Sequence, residues 1–299
     1  MNTRLFIGMP VRNGARFIRE ALASLCAQSY GDWQLVVSDN ASTDGTVDIC
    51  QQFVRHDGRI SVVVQEHDLG AAENFLFLIS RAHGEFFTWA AADDLWAPAY
   101  LKTCISALDA HPDIGMAFTG MENIDSSGKP IRQYRRLAGL AGRPTRRTVA
   151  RYLYQPEILG KANLIHSVLR LDLCRRVSEA VGFPECWGPD MALVLGFLAQ
   201  GGIHIDHRVL FRKRIPEGTM ANPESIELNS LVPGSGIFPL NAYPAYRAGL
   251  VSAVKGTGFE TMTKVIMDFR YYRARLSELL KRRAHDQHRT SDIETDDSN

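Results

Sequence analysis

The 299-residue chain lacks any apolar run long enough to span a bilayer. Its longest purely apolar stretch is Met191–Ala199, against about 20 residues for a spanning helix. It also lacks a CxxC pair. The five cysteines (Cys26, Cys50, Cys104, Cys174 and Cys186) are scattered and odd in number. Neither a disulfide framework nor a zinc site is expected, and a reducing compartment fits best. No charge sign dominates: 34 Lys and Arg against 33 Asp and Glu leave a net +1. That excludes the strongly basic footprint of a general nucleic-acid binder. Met1–Arg4 lead straight into a strand-like run, so no leader peptide is expected and the chain reads as soluble and cytoplasmic. The 45% hydrophobic content rules out wholesale disorder and, at this length, suffices for a large α/β domain with or without an appendage.

What is present, over residues 1–120, is an alternation of short apolar runs with helical periods. Leu5–Met9, Gln34–Ser38, Ile60–Val64, Phe86–Ala90 and Gly115–Thr119 have the pattern of strands. Helices are expected over Ala15–Ser29, Thr46–Phe53, Ala71–Ala82 and Pro98–Ala110, the first burying Phe17, Ile18, Ala21, Leu22 and Leu25. Near-continuous apolar strands alternating with helices imply a mostly parallel sheet covered on both faces. Ligands of such sheets sit beyond the carboxyl ends of the strands.

Residues 121–215 change character. Between Asp125 and Glu157 there is no acidic residue, while Lys129, Arg132, Arg135, Arg136, Arg143, Arg146, Arg147 and Arg151 accumulate, as expected of a mobile basic loop. Mixed α/β pattern then returns, with a helix near Asp190–Leu198 and a strand near Ile203–Phe211. Residues 216–299 hold a Pro-, Gly-, Ser- and Asn-rich linker to about Ala242, one amphipathic helix and an acidic tail expected to be disordered. The helix is marked by Val265, Phe269, Tyr272, Leu276 and Leu279 at 4-3-4-3 spacing.

Three clusters follow strands. They are Pro10-Val11-Arg12-Asn13-Gly14, Ser38-Asp39-Asn40-Ala41-Ser42-Thr43-Asp44-Gly45-Thr46, and Ala91-Ala92-Asp93-Asp94-Leu95-Trp96. Asp and Asn at adjacent strand ends can hydrogen-bond a base or ribose, and helix N-termini can hold a diphosphate. A carboxylate in the same crevice can bind a divalent cation that also bridges phosphate oxygens. Each piece also has a plainer role: Asp44-Gly45-Thr46 as a turn and cap, and Asp93-Asp94 as a helix start.

These clusters, with Gln28-Ser29-Tyr30, Trp33, Leu69-Gly70, Asn74, Gly84-Glu85 and Ala97-Pro98 in the same order, resemble the family-2 glycosyltransferases. The resemblance runs from about Phe6 to Phe118 and more loosely to Arg214. It implies the GT-A fold: a Rossmann-like, mostly parallel sheet with helices on both faces, here with a C-terminal helical extension. It implies an inverting transfer from a nucleoside-diphosphate sugar, UDP or dTDP, to a hydroxyl of a glycan or lipid-linked acceptor in bacterial surface-polysaccharide assembly. Pro10, Arg12, Asn13, Asp39 and Asn40 would line the nucleotide pocket, with Asp39 accepting from the base, and Asn74 would brace the loop over the donor. Asp93 matches the last Asp of the family's D-x-D element, which ligates Mn²⁺ or Mg²⁺ on the donor diphosphate; Asp94 and His166 are secondary metal candidates. Asp190, in Trp187-Gly188-Pro189-Asp190, would be the general base. Its plainer role is to cap the following helix.

The sequence departs from the family pattern at Ala91, where the first Asp of D-x-D belongs, at Pro189, where Glu is common, and at Glu73, where a basic residue is common. Two other readings therefore stand beside the transferase. One is a non-catalytic nucleotide-sugar-binding or assembly protein. The other is a nucleotidyltransferase, disfavoured because Pro10–Gly14 carries a single Gly and a single Arg. Arg135 and Arg136 are candidate phosphate or acceptor contacts. His204 and His207 fall on opposite faces of a strand, which is poor metal geometry. The terminal helix, basic off its stripe, would pack on its own domain, pair with a second copy, or lie at the inner membrane surface.

Overall fold

The computed structural model describes residues 3–155, 159–184, 186, 188–215 and 240–296, with the backbone alone at 241, 278 and 281–296. Strand β1 (Leu5–Val11) lies between β2 (Trp33–Asp39) and β4 (Phe86–Trp89), and β3 (Ile60–Val64) extends the sheet beyond β2. All three of these pairings are parallel. Every side chain of β4 and nearly every one of β1 and β2 is buried, as strands covered on both faces require. The covering helices are α1 (Ile18–Cys26), α2 (Thr46–His56), α3 (Ala71–Arg81) and α4 (Tyr100–Ala110). Phe17, expected inside α1, is only partly buried and stands at its N-cap.

The sheet continues through the second half in the order β3-β2-β1-β4-β8-β6-β9-β5. Short β8 (Val168–Arg170) pairs antiparallel with both β4 and β6 (Met116–Ile124). Thus β4 and β6 run the same way, and β9 (Ile203–Arg214) runs parallel to β6. The carboxyl ends of β1, β2, β4, β6 and β9 therefore share one edge. Two-residue β5 (Leu95–Trp96) pairs antiparallel with the end of β9 and so brings the post-β4 turn against it. The boundary expected near residue 120 falls inside β6, so both halves share one sheet.

The segment expected to be a mobile basic loop is built into the fold. It contains β7 (Pro130–Gln133), antiparallel to β6, a 3₁₀ turn (Arg135–Leu140) and α5 (Arg146–Tyr154). A capping box starts α5: the Thr145 hydroxyl accepts from the Thr148 N–H at 3.1 Å, and the Thr145 N–H donates to the Thr148 hydroxyl at 2.9 Å. Leu137, Leu140, Val149, Tyr152 and Leu153 anchor this segment in the core. Composition showed its charge, while five buried side chains decide its order.

Helix α7 (Pro189–Gly201) is buried all round from Met191 to Ala199, the mark of a central helix. It packs among α6 (Leu171–Val181), α5 and α8 (Tyr243–Ala253). Helix α9 (Glu260–Asp296) continues through most of the tail expected to be disordered. Ile266, Met267, Arg270 and Ala274 form its buried face, with the Arg270 guanidinium donating to the Leu153 carbonyl at 2.5 Å. The stripe picked out by spacing is the other face: Val265, Phe269, Tyr272, Leu276 and Leu279 are 53–70% exposed. The expected linker over 216–239 lies outside the described residues. No helix among the described residues is long and apolar enough to cross a membrane.

Candidate active site

Two loops meet where β1 and β2 end side by side, Val11 opposite Asp39. Asn13 and Ala41 both adopt left-handed backbone, φ 53° and 56°. These turns let the loops exchange hydrogen bonds. The Asn13 N–H donates to the Ser42 hydroxyl at 2.8 Å, and the Asn13 side-chain oxygen accepts from the Thr43 N–H at 2.9 Å. The Gly14 N–H donates to the Thr46 hydroxyl at 2.8 Å, and the Ala15 N–H to Asp44 at 3.0 Å. Asp44 also accepts from the Thr46 hydroxyl, which holds its carboxyl below the usual range. Asp44-Gly45-Thr46 is thus both helix start and loop clamp.

Inside this clamp Asp39 is fully buried. Its Oδ2 accepts from the Ser42 N–H at 3.0 Å, whereas Oδ1 has no hydrogen-bond partner among the described residues. Such an orphaned acceptor costs about 1–3 kcal/mol. A ligand N–H would satisfy it. Asn40 donates to Asp68 at 2.5 Å and accepts from the Leu69 N–H at 2.8 Å, while Arg12 pairs with the other Asp68 oxygen at 2.8 Å. Asp68, which carries no motif, is therefore the joint between the two loops. Pro10 sits opposite Ser38. Asn74 lies beneath this surface: it accepts from the Ser38 hydroxyl at 2.5 Å and donates to the Ser38 carbonyl at 3.1 Å. It fastens α3 to the strand end and makes no described bond to an overlying loop.

The second part of the site is a carboxylate cluster. Asp94 is fully buried. Its Oδ1 accepts from the backbone N–H of Arg214 at 2.9 Å, and its Oδ2 lies 3.7 Å from Lys213 Nζ and 3.8 Å from His166 Nε2. Burial raises the Asp93 and Asp94 carboxyls above their ordinary values, and the Lys213 ammonium opposes that rise. Lys213 is in turn held protonated by Asp94 first, then Asp93 and Asp190. Asp190 follows Pro189 in the first turn of α7, with Gly188, not Asp190, as the N-cap in left-handed backbone at φ 68°. Its Oδ1 accepts from the Met191 N–H at 2.9 Å, and burial raises its carboxyl while Lys213 pulls it back. Trp187 lies outside the described residues.

Arg214, 1% exposed, holds the Asp93-Asp94 turn in place. Its guanidinium donates to the Asp93 carbonyl at 3.0 Å, the Ser126 carbonyl at 2.9 Å and Glu20 at 2.7 Å, with Phe17 under it at 4.4 Å. Lys213 and Arg214 escaped the sequence reading because their strand alternates weakly and carries no motif. The available signal was two basic residues ending a strand that returns to this edge. Arg135 and Arg136 are exposed on the 3₁₀ turn, and among the described residues no hydrogen bond or ion pair ties them to the carboxylates. His204 stacks on His111, ring centres 5.4 Å apart.

The donor set does not fit a divalent site built by the protein. Mn²⁺ and Mg²⁺ prefer about six oxygen ligands. Ala91 supplies none, Asp94 is fully buried, accepts from Arg214 and faces an ammonium, and His166 is buried beside it. Burial and the nearby Lys213 pull the His166 imidazole down to about 4, so it is neutral. That leaves the Asp93 carboxylate, and among the described residues no three His, Cys, Asp or Glu side chains converge for a metal.

Comparisons with known proteins follow the same lines. TuaG of Bacillus subtilis, named as a teichuronic acid biosynthesis glycosyltransferase, is 30% identical over 125 residues, 42% of this chain and 49% of that protein. EpsE of Bacillus subtilis, named as a glycosyltransferase, is 31% identical over 121 residues, 40% of this chain and 44% of that protein. The chain thus spans about half the length of these curated relatives. Among solved structures, TarS of S. aureus in complex with UDP-GlcNAc has a TM-score of 0.65 at 19% identity, covering 88% of this chain and 70% of that one. The mannosyltransferase PcManGT of Pyrobaculum calidifontis, in complex with GDP-Man and Mn²⁺, has a TM-score of 0.58 at 16% identity, covering 95% of this chain and 76% of that one. Both likenesses show the GT-A fold. The sequence model of glycosyl transferase family 2 matches residues 6–169, more than half of the chain, and the chain belongs to that family.

Proposed function

We propose that this protein transfers a sugar from a nucleoside-diphosphate sugar to a hydroxyl of a glycan or lipid-linked acceptor in surface-polysaccharide assembly, inverting the anomeric centre. The observation that carries it is the Lys213 ammonium, 3.7 Å from Asp94 in the turn after β4 and held charged also by Asp93 and by Asp190 of α7. The orphaned Asp39 Oδ1 supports a pyrimidine base whose ring N–H donates there, as in UDP or dTDP. That TarS is solved with UDP-GlcNAc and PcManGT with GDP-Man supports the donor class.

In this reading Asp190 takes the acceptor hydroxyl's proton. Burial makes it a stronger base than a free carboxylate, and Lys213 keeps it ionised. The hydroxyl oxygen attacks the anomeric carbon as the bond to the diphosphate oxygen breaks, and the electron pair leaves with the diphosphate. Arg12, held by Asp68, and the Asn13–Gly14 turn shape the nucleotide side.

Melting temperature against a panel of UDP, dTDP and GDP sugars tests the reading, because a ligand bound only by the folded state raises it. A rise with one nucleotide, smaller in Asp39→Ala, is expected. Absence of any rise overturns it. Ala91 favours a second reading, a nucleotide-sugar binder without transferase activity; binding with no turnover on any acceptor would support that one.

The exposed stripe of α9 is flanked by exposed Lys264, Arg273 and Arg275. An apolar stripe edged by cations complements an anionic lipid surface, whereas two such helices would repel each other. We place a cytoplasmic enzyme against the inner membrane through this face. A homodimer in light scattering, without vesicle binding, would replace that assignment.

A further inference from the structure

Lys213 sits next to the last residue of β9, at the edge where β1, β2, β4 and β6 also end. Its side chain is partly exposed, at 30%. The separation of 3.7 Å from Asp94 Oδ2 makes an ion pair but exceeds hydrogen-bond range, about 2.7–3.2 Å. An anchored cation therefore stands at the Asp93-Asp94 turn, the position through which the family would bring in a metal. The carboxylate that would share that metal is replaced by Ala91.

We propose that Lys213 is a donor-binding residue whose ammonium meets the leaving diphosphate in place of a divalent cation. This deepens the proposed function and rests on it. As the bond between anomeric carbon and diphosphate oxygen breaks, negative charge grows on the phosphate oxygens, and a fixed ammonium is complementary to it. Lys213 transfers no proton in this step; the acceptor's proton goes to Asp190. Asp94, in ion-pair contact, and Asp93 and Asp190 keep the ammonium charged.

The test is calorimetric binding of UDP, dTDP and GDP, with the matching monophosphates, to the full chain in EDTA and in Mn²⁺. The native protein is expected to bind one diphosphate in EDTA. Lys213→Gln is expected to weaken that diphosphate tenfold or more while changing the monophosphate little. Lys213→Arg, which keeps the charge and guards against a folding defect, is expected to retain most of the affinity. Binding that appears only with Mn²⁺, or a Lys213→Gln protein indistinguishable from native, overturns the role of Lys213 and leaves the transferase reading standing. Failure of the native protein to bind any diphosphate, with or without Mn²⁺, overturns both.

Discussion

The backbone N–H of Arg214 donates to Asp94 Oδ1 at 2.9 Å, joining the end of β9 to the turn after β4 across 120 residues of chain. The guanidinium of the same residue then binds the Asp93 carbonyl, so both aspartates are positioned by one arginine. Arg214→Leu should lower stability by about 2–4 kcal/mol, because it leaves buried carbonyls unpaired and loosens the acid turn. Urea unfolding measures this. A loss under 0.5 kcal/mol, about the size of an ordinary surface substitution, would mean the clamp is dispensable.

Asp190→Asn should lower the transfer rate about 10²–10⁴-fold while nucleotide binding stays unchanged. Because the folded carboxyl titrates above its ordinary value, the native rate should fall on the acid side at a pH above that of a free Asp. The sign for stability is also set: the group favours folding in its protonated form, and this contribution is lost as pH rises through the raised value. A native pH–rate profile with no acid limb, or an Asn variant of near-native rate, would remove Asp190 from the base role.

Asp39→Ala removes the orphaned acceptor. Affinity for the cognate nucleotide should drop roughly tenfold, about 1.4 kcal/mol, through contact with the base. The loss should appear equally for the nucleoside and the diphosphate. A loss confined to the diphosphate would place Asp39 against phosphate-side chemistry instead.

Leu276→Glu on the exposed stripe of α9 should abolish co-sedimentation with vesicles rich in anionic lipid. Stability should change by no more than about 0.5 kcal/mol, since Leu276 is 59% exposed. Unaltered vesicle binding, or none by the native protein, would retire the membrane assignment.

Local pattern carried much of this protein. Strands such as Leu5–Val11 and Phe86–Trp89 are apolar at nearly every buried position, so hydrophobic runs alone place them, and the motifs fall at their ends by chain order. The family resemblance, carried by motifs in the sequence, is what singles out Asp39, Asp93 and Asp190 as candidates. What spacing could not supply was which side of α9 is buried, since Ile266, Met267 and Ala274 compete with the heptad stripe and only the shape of α5 and α8 decides between them. Nor could it order the basic segment, held by Leu137, Leu140 and Tyr152 against partners far along the chain. Lys213 and Arg214 belong to the same class. Their meaning comes from β9 running parallel to β6 and returning to the edge where β4 ends, a long-range pairing that no local period encodes.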